Sequence, residues 1–120
     1  MKIAFATAGD SLDAALDSRF GRAPRFLLYD LDAGLAELLD NEVSRASSQG
    51  AGIQAADSVA RAGAGAVVTG HCGPKAFQVL HAAGIRVFTC SAATVGEALS
   101  QYRSGALVEQ PGADVAGHDA

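Results

Sequence analysis

The chain has 120 residues, of which 49% are hydrophobic and 18% are charged, a composition that fits one folded domain and argues against wholesale disorder. Its net charge of −4 gives no reason to expect general affinity for nucleic acids or anionic membranes. No stretch approaches the roughly 18–20 apolar residues of a membrane span, and the apolar run at the N-terminus is too short for the core of a signal peptide. We therefore expect a cytoplasmic protein in which Cys72 and Cys90 are free thiols or ligands rather than a disulfide.

The first part of the chain predicts three strands that follow one another closely. Residues 2–8 form an apolar run that ends at Gly9 and Asp10, and the stretch RFLLYDL over residues 25–31 predicts a second strand. Residues 35–42 are ambiguous by propensity alone. Because they follow the turn at residues 32–34, they are expected to form the return strand of a hairpin.

The rest of the chain predicts helices that alternate with strands. The predicted order after the hairpin is a loop over 44–52, a helix over 53–62, a strand over 66–69, a helix from Pro74 to before Gly84, a strand over 85–89 and a helix over 94–103. The resulting order β-β-β-α-β-α-β-α predicts an α/β fold with a five-stranded mixed sheet that is partly parallel. Residues 108–120 are small, glycine-rich and acidic, and predict a flexible tail after a domain over residues 1–107.

The direction of the predicted strands places the unusual loops together. If the first three strands form a meander, the first, third, fourth and fifth strands run the same way, so their following connections leave from one edge of the sheet. Those connections carry residues 18–24, 49–52 and 70–74, together with Cys90. Ligands of open α/β sheets bind outside the carboxyl ends of parallel strands. This edge is therefore the candidate site.

The residue types at this edge are suited to an anion. Gly52 and Gly73 each precede or open a predicted helix, and helix N-termini attract anions through their unpaired N–H groups. Arg19 and Arg22 add positive charge to an acidic chain. Each feature also has a plainer explanation, because glycines make turns and exposed arginines need no partner.

Two further side chains at this edge are able to ligate metals. Cys72 lies just before a helix, where the thiolate is favoured, and His71 offers an imidazole. A packed thiol and a surface or capping histidine are the alternatives, and Cys90 is more often a packed thiol than a ligand. Taken together, the edge predicts a pocket for an anion that also accepts sulfur or nitrogen ligands.

The sequence offers little catalytic equipment. Cys72-Gly73-Pro74-Lys75 overlaps the CGPC motif of thioredoxin-like proteins, but Lys75 replaces the second cysteine, which excludes dithiol exchange within the motif. There is no phosphate-binding P-loop, no G-x-G-x-x-G fingerprint and no nucleophile elbow. The predicted central strands lack the carboxylates of a two-metal nuclease. We therefore expect a binding protein and not an enzyme.

Three segments resemble one known family. They are MKIAFAT at the N-terminus, SRFGRAPRFLLYD over residues 18–30, and GAGIQAADSVARAGAGAVVTGHCGPKAFQVLHAAGIRVF over residues 50–88. Together they resemble the dinitrogenase iron–molybdenum cofactor biosynthesis family, which includes NifX and the C-terminal part of NifB. The resemblance extends to about Leu107 and implies a ribonuclease-H-like, three-layer α/β fold with a five-stranded mixed sheet. It also implies non-catalytic binding of iron–sulfur or molybdenum-containing clusters or their precursors.

The resemblance and the reasoning from the residues together give a candidate site. The expected cluster-binding residues are Ser18, Arg19, Arg22, Gly50, Gly52, Gly70, Gly73, Pro74 and Lys75. Cys72 is the expected covalent metal ligand and His71 the second. Lys75 stands where the family often has asparagine, and positions 71 and 72 vary within the family.

The leading hypothesis is a cytoplasmic carrier of an anionic iron–sulfur or molybdenum-containing cluster, a monomer or weak dimer with protein partners in cofactor assembly. The alternative is a cofactor-free interaction module that works with a partner ATPase or a biosynthetic enzyme. An anion- or nucleotide-binding enzyme is a third and weaker interpretation. No nucleic-acid or membrane partner is expected.

Overall fold

The computed structural model describes residues 1–42 and 50–111. The predicted loop over 44–52 therefore falls mostly outside the described residues. The described elements are β1 (Lys2–Thr7), β2 (Arg25–Asp30), β3 (Leu35–Asp40), α1 (Ala51–Arg61), β4 (Ala64–Thr69), α2 (Pro74–Ala82), β5 (Arg86–Thr89), α3 (Val95–Ser104) and β6 (Val108–Glu109). No helix within these ranges is long and apolar enough to cross a membrane.

One mixed sheet has the strand order β3-β2-β1-β4-β5-β6. β1, β4 and β5 are parallel neighbours, while β2 and β3 continue from β1 as an antiparallel meander. The predicted meander and the predicted common direction of the first, third, fourth and fifth strands are confirmed. The carboxyl ends of β1, β3, β4 and β5 therefore meet at one edge of the sheet.

The β2–β3 turn explains why the ambiguous stretch after it becomes a strand. The Asp30 carboxylate accepts hydrogen bonds from the backbone N–H groups of Ala33 and Asp32, which hold the pKa of Asp30 below its ordinary value. Gly34 has a φ of 69°, in the left-handed region that favours glycine, and its N–H donates to the Asp30 carbonyl at 2.8 Å. The turn fixes the register in which β3 pairs with β2.

The core lies on both faces of the sheet, as the alternating side chains of β1 require. Ala4 and Ala6 belong to the cluster that includes the buried faces of α1 and α2. Ile3 and Phe5 belong to a second cluster that includes the buried face of α3. Two helices on one face and one helix on the other make the expected three layers, whereas the ribonuclease-H-like name for the fold stays a prediction.

The number of strands differs from the sequence expectation. The structure has a sixth strand, β6, at the start of the expected tail, and it pairs antiparallel with β5. The Arg86 guanidinium binds the Glu109 carboxylate at 2.7 Å, and the Gln110 N–H donates to the Val87 carbonyl at 2.8 Å. A two-residue strand carries no periodic signal, because its pairing depends on contacts that are distant in sequence. Residues 112–120 of the expected tail lie outside the described residues.

Candidate functional site

A cavity of about 700 Å³ opens at the carboxyl edge of the sheet. Its volume is within the range typical of small-molecule and cofactor sites, on the order of 300–1,000 Å³. The described residues that line it are Arg19, Phe20, Gly21, Arg22, Gly50, Ala51, Gly52, Ile53, His71, Gly73, Pro74, Lys75 and Ala76. They come from the connection after β1, the start of α1 and the β4–α2 connection. Convergence of these loops at one edge, as the sequence predicts, is confirmed.

The segment between β1 and β2 forms one wall of the cavity through a buried aromatic anchor. Phe20 is buried, and its ring lies 5.1 Å from the ring of Phe26 on β2. The Phe20 N–H donates to the His71 carbonyl at 3.1 Å, which joins this wall to the β4–α2 connection. The neighbouring Gly21 lies against the start of α1, where an added Cβ would come within 2.8 Å of the Gly52 Cα. Only a glycine permits this approach of two backbones.

Asn41 ties the end of β3 to the same wall. Its Nδ2 donates to the Ala23 carbonyl at 2.7 Å and to the Gly21 carbonyl at 3.3 Å, while its backbone N–H donates to the Pro24 carbonyl at 2.9 Å. The residue is 2% exposed, so these bonds are shielded from competing water. Sequence reasoning missed Asn41, because a lone asparagine after a strand gives no signal that distinguishes a buried tie from a turn.

The helices that begin at the cavity lack the caps found elsewhere in the molecule. Gly50 and Gly73 are the N-cap residues of α1 and α2, and neither helix has a side-chain cap or an acidic residue in its first turn. At α3, which begins away from the cavity, the Thr94 hydroxyl accepts the Glu97 N–H, and Glu97 in turn accepts the Ala93 N–H. A helix start needs acceptors for its first N–H groups, and a negative charge there is favourable. At α1 and α2, no capping side chain among the described residues supplies those acceptors.

The charged side chains that line the cavity within residues 1–42 and 50–111 are all cationic. Arg19, Arg22 and Lys75 line it and are exposed, and no carboxylate lines it among the described residues. The cavity thus carries three formal positive charges in a chain whose net charge is −4. Lys75 also lies in the first turn of α2, where a cation opposes the helix dipole. This arrangement suits a multiply charged anion.

The predicted metal ligands His71 and Cys72 point to different sides. His71 is exposed and lines the cavity, whereas the Cys72 side chain is 0% exposed and belongs to the core beneath α1 and α2. Contrary to the expectation of a thiol facing the pocket, Cys72 is not among the residues that line it. Its role as a covalent ligand stays a prediction, one that requires the β4–α2 connection to rearrange. Within residues 1–42 and 50–111, no group of three or more His, Cys, Asp or Glu side chains is placed to hold a metal ion.

Cys90 lies outside the cavity. Its Sγ is 3.4 Å from Gln101 Oε1 on α3 and accepts the Ala92 N–H at 3.2 Å, and the residue packs against the α3-side core. These contacts fit the expectation of a packed thiol at a strand end better than that of a metal ligand.

Two other predicted residues contribute to the shape of the site without lining it. Gly70 packs against Ser18 so closely that an added Cβ would lie 2.7 Å from the Ser18 Cα. The Gly70 N–H also donates to the Asp17 carbonyl at 3.3 Å. The pair holds the connection after β1 against the end of β4. The lining residues that were absent from the predicted set are mostly apolar or glycine: Phe20, Gly21, Ala51, Ile53 and Ala76. All five lie in the segments that carry the family resemblance, which was the available signal.

A family model described as "Dinitrogenase iron-molybdenum cofactor" matches residues 1–105. An uncharacterized protein of Methanocaldococcus jannaschii is 27% identical over 95 residues, which cover 77% of this chain and 80% of that protein.

Two solved structures resemble this one over nearly its whole length. The apo form of the orange protein from Desulfovibrio gigas is 42% identical, with a TM-score of 0.91 and coverage of 95% of this chain and 96% of that one. A Thermotoga protein described as a candidate NifB protein of the DUF35 family is 30% identical, with a TM-score of 0.79 and coverage of 90% and 91%. The matched residues 1–105 include all the described residues that line the cavity.

Proposed function

The chain belongs to the dinitrogenase iron–molybdenum cofactor family, and from this premise we propose that it binds and carries an anionic iron–sulfur or molybdenum-containing cluster without catalysing a reaction. The cluster is cargo, taken up at the carboxyl edge of the sheet and passed on in cofactor assembly or trafficking. One observation supports this proposal most strongly. Among the described residues, two helix N-termini without a side-chain cap and three cations face a single cavity that no carboxylate lines.

The walls of the cavity suit a sulfide-bearing anion better than a small oxyanion. Phe20, Ile53 and Ala76 give it apolar surface, and its volume of about 700 Å³ is far larger than one phosphate requires. Sulfide ligands are soft and weakly hydrated, so a metal–sulfur cluster tolerates apolar contact while its net charge is balanced by arginine, lysine and backbone N–H groups. A cluster that brings its own sulfide ligands needs few ligands from the protein.

His71 is the side chain best placed to ligate a metal from this cluster. It lines the cavity directly, and its imidazole is a ligand for several transition metals. Cys72 packs behind the β4–α2 connection and supports the wall from the core side. In this arrangement charge and backbone donors hold most of the cluster, and a direct protein–metal bond is secondary.

Anaerobic reconstitution of apo protein with iron and sulfide, or with thiomolybdate, tests the proposal. Metal content and the visible absorbance are measured for wild type and for variants. We expect the double variant Arg19→Gln with Lys75→Gln to lose about tenfold or more in affinity, because two of the three lining cations are removed. Arg61→Gln, an exposed arginine at the end of α1, is the matched control and should take up metal like wild type.

The same measurement decides between the ligand hypotheses. Cys72→Ala should retain uptake if the thiol only packs in the core, whereas its loss of uptake with a folded spectrum would restore Cys72 as the covalent ligand. Equal uptake by wild type and the arginine–lysine variant would contradict an electrostatic site. Absence of uptake by wild type with either reagent would favour the alternative, a cofactor-free interaction module.

A further inference from the structure

We propose that the outer edge of β3 (Leu35–Asp40) binds an extended segment of a partner protein, with basic and apolar side chains on both faces, as an added strand of the sheet. The added strand would run beside β3 and leave the core unchanged. We call this surface the β3 edge. The proposal depends on the unpaired side of the β3 backbone, on exposed leucines and on acidic side chains. The proposed cluster site uses none of these groups.

The backbone of β3 is paired on one side only. Over its six residues it pairs with β2, and no other strand of the described chain lies against it. The opposite edge of the sheet is formed by β6, which has two residues. A six-residue edge presents alternate N–H and C=O groups outward, which is the template used in strand addition. Within residues 1–42 and 50–111, the sheet therefore has one long edge with no strand paired to its outer side.

Exposed leucines flank this backbone on both faces. Leu35 is 69% exposed and Leu38 is 49% exposed. Leu38 lies opposite Leu27, whose side chain belongs to the α3-side core, while Leu39 lies opposite Phe26 in the other core. Leu35 shares its face with Leu39, because side chains alternate along a strand. An added strand would thus find one large apolar contact on each face.

The charge of the β3 edge selects the partner. Residues 31–42 contain Asp32, Glu37, Asp40 and Glu42 and no lysine or arginine. Natural sheet edges are often protected by lysine or proline, and this segment has neither. Glu37 has a cation within reach on its own sheet, Lys2 Nζ at 3.7 Å, and the Asp32 carboxylate lies 2.7 Å from the Met1 amino group, so part of this negative charge is already offset. Pairing with a second copy of β3 would bring acidic strands together, so the charge favours a basic partner.

The position of β3 suggests what such a partner does. β3 ends at Asp40, and the next residue, Asn41, is bonded to Gly21 and Ala23, of which Gly21 lines the cavity. A segment on β3 would hold its protein near the cavity rim. Two proteins that exchange an anion each present positive charge around it and repel one another, and an acidic strand beside the cavity offsets that repulsion. Such a partner is the protein that delivers the cluster or receives it. This assignment rests on the proposed function, whereas strand addition itself does not.

A peptide probe tests the β3 edge on the whole apo chain. The probe is a blocked seven-residue peptide of lysine and valine in which each face of the extended strand carries both residue types, studied at low ionic strength by calorimetry and by amide NMR. We expect shifts and slowed hydrogen exchange at residues 35–40, and binding at least about fivefold weaker to Glu37→Gln with Asp40→Asn. Asp13→Asn, an exposed acid in the connection after β1, is the matched control and should bind like wild type.

Two altered peptides make the outcome decisive. Glutamate in place of lysine should abolish binding, and N-methylation of alternate residues should abolish it by removing the backbone donors. Equal binding of either altered peptide, or shifts confined to other residues, would overturn the proposal. Concentration-dependent self-association in sedimentation that Leu38→Asp removes would assign the edge to a second copy instead. Because the apo protein is used, failure here leaves the cluster-uptake measurement, and the proposed function, untouched.

Discussion

Gly21 and Gly73 both line the cavity, but their surroundings differ. An added Cβ at Gly21 would lie 2.8 Å from backbone atoms of Gly52, which cannot swing aside as a side chain does. At Gly73 nothing lies within 4 Å of that position, and its φ of −69° is ordinary for any residue. Packing therefore requires glycine at position 21. Position 73 requires glycine only if a bound ligand occupies the space that a side chain would fill.

This difference gives a prediction at the residue scale. Gly21→Ala should lower the free energy of unfolding by roughly 1–3 kcal/mol, because the wall must move away from α1. Gly73→Ala should change it by less than about 1 kcal/mol. Urea denaturation of the two apo variants measures both values. Equal destabilisation would show that the close approach of Gly21 to Gly52 does not determine the packing there.

Single residues also show where sequence reasoning about the site stops. The structure places Arg19, Arg22, Lys75 and His71 around one cavity, as the predicted strand directions require, and their part in binding stays a prediction. Sequence reasoning left a packed Cys72 and a ligating Cys72 as alternatives and did not decide that Cys72 turns into the core next to an exposed His71. Successive residues of a non-helical segment can face opposite ways, and only packing decides which one faces the ligand.

Among the elements, β3 and β6 mark what a local pattern can and cannot predict. β3 was predicted from the turn signal at residues 32–34, and the structure shows the local cause of that turn in Gly34 and the Asp30 carboxylate. β6 depends on Arg86, which precedes Glu109 by 23 residues, and on β5 being in place. Such a long-range contact forms only when the sheet is assembled, so a local sequence pattern does not reveal it.

The anchoring of β6 should depend on pH. Hydrogen bonding by Arg86 lowers the pKa of Glu109 below its ordinary value of 4.5. A carboxyl with a lowered pKa contributes stability above its ordinary pKa and loses it as the pH falls through the lowered one. We therefore expect the Gln110 amide, which donates to Val87, to lose protection from hydrogen exchange as the pH falls below 4.5.

Two controls separate this effect from general acid unfolding. Amides of β1 should keep their protection over the same pH range, and Glu109→Gln should show weak protection of Gln110 at every pH. A wild-type Gln110 amide that stays protected in acid would mean that backbone pairing, rather than the Arg86–Glu109 contact, holds β6.

Across the whole molecule, charge is distributed unevenly. Three cations lie around the cavity, while residues 31–42 contribute four acids and no cation to a chain of net charge −4. Such a distribution attracts an anion to the cavity and a basic partner to the β3 edge at the same time. The cluster site is thus the positive region of the molecule's charge distribution, and the β3 edge is a negative region beside it.

This pattern predicts that cargo binding is sensitive to salt. Thiomolybdate should raise the thermal unfolding midpoint of the apo chain, since a ligand of the folded state stabilises it by mass action. That rise should shrink strongly as ionic strength increases from about 0.01 M to about 1 M, over which the screening length falls about tenfold. Differential scanning calorimetry measures it. A rise that is independent of salt would instead indicate that a direct metal bond, from His71 or Cys72, dominates.

The hydrogen bonds of Asn41 connect the cavity wall to the end of β3. Whatever holds the wall at Gly21 and Ala23 also restrains the end of β3, and whatever holds β3 restrains the wall. Thermodynamic linkage makes any such effect reciprocal: the factor by which cargo alters the affinity for a docked strand equals the factor by which the strand alters the affinity for cargo. A partner bound to β3 would therefore change the affinity of the cavity for its cargo when it binds and when it dissociates.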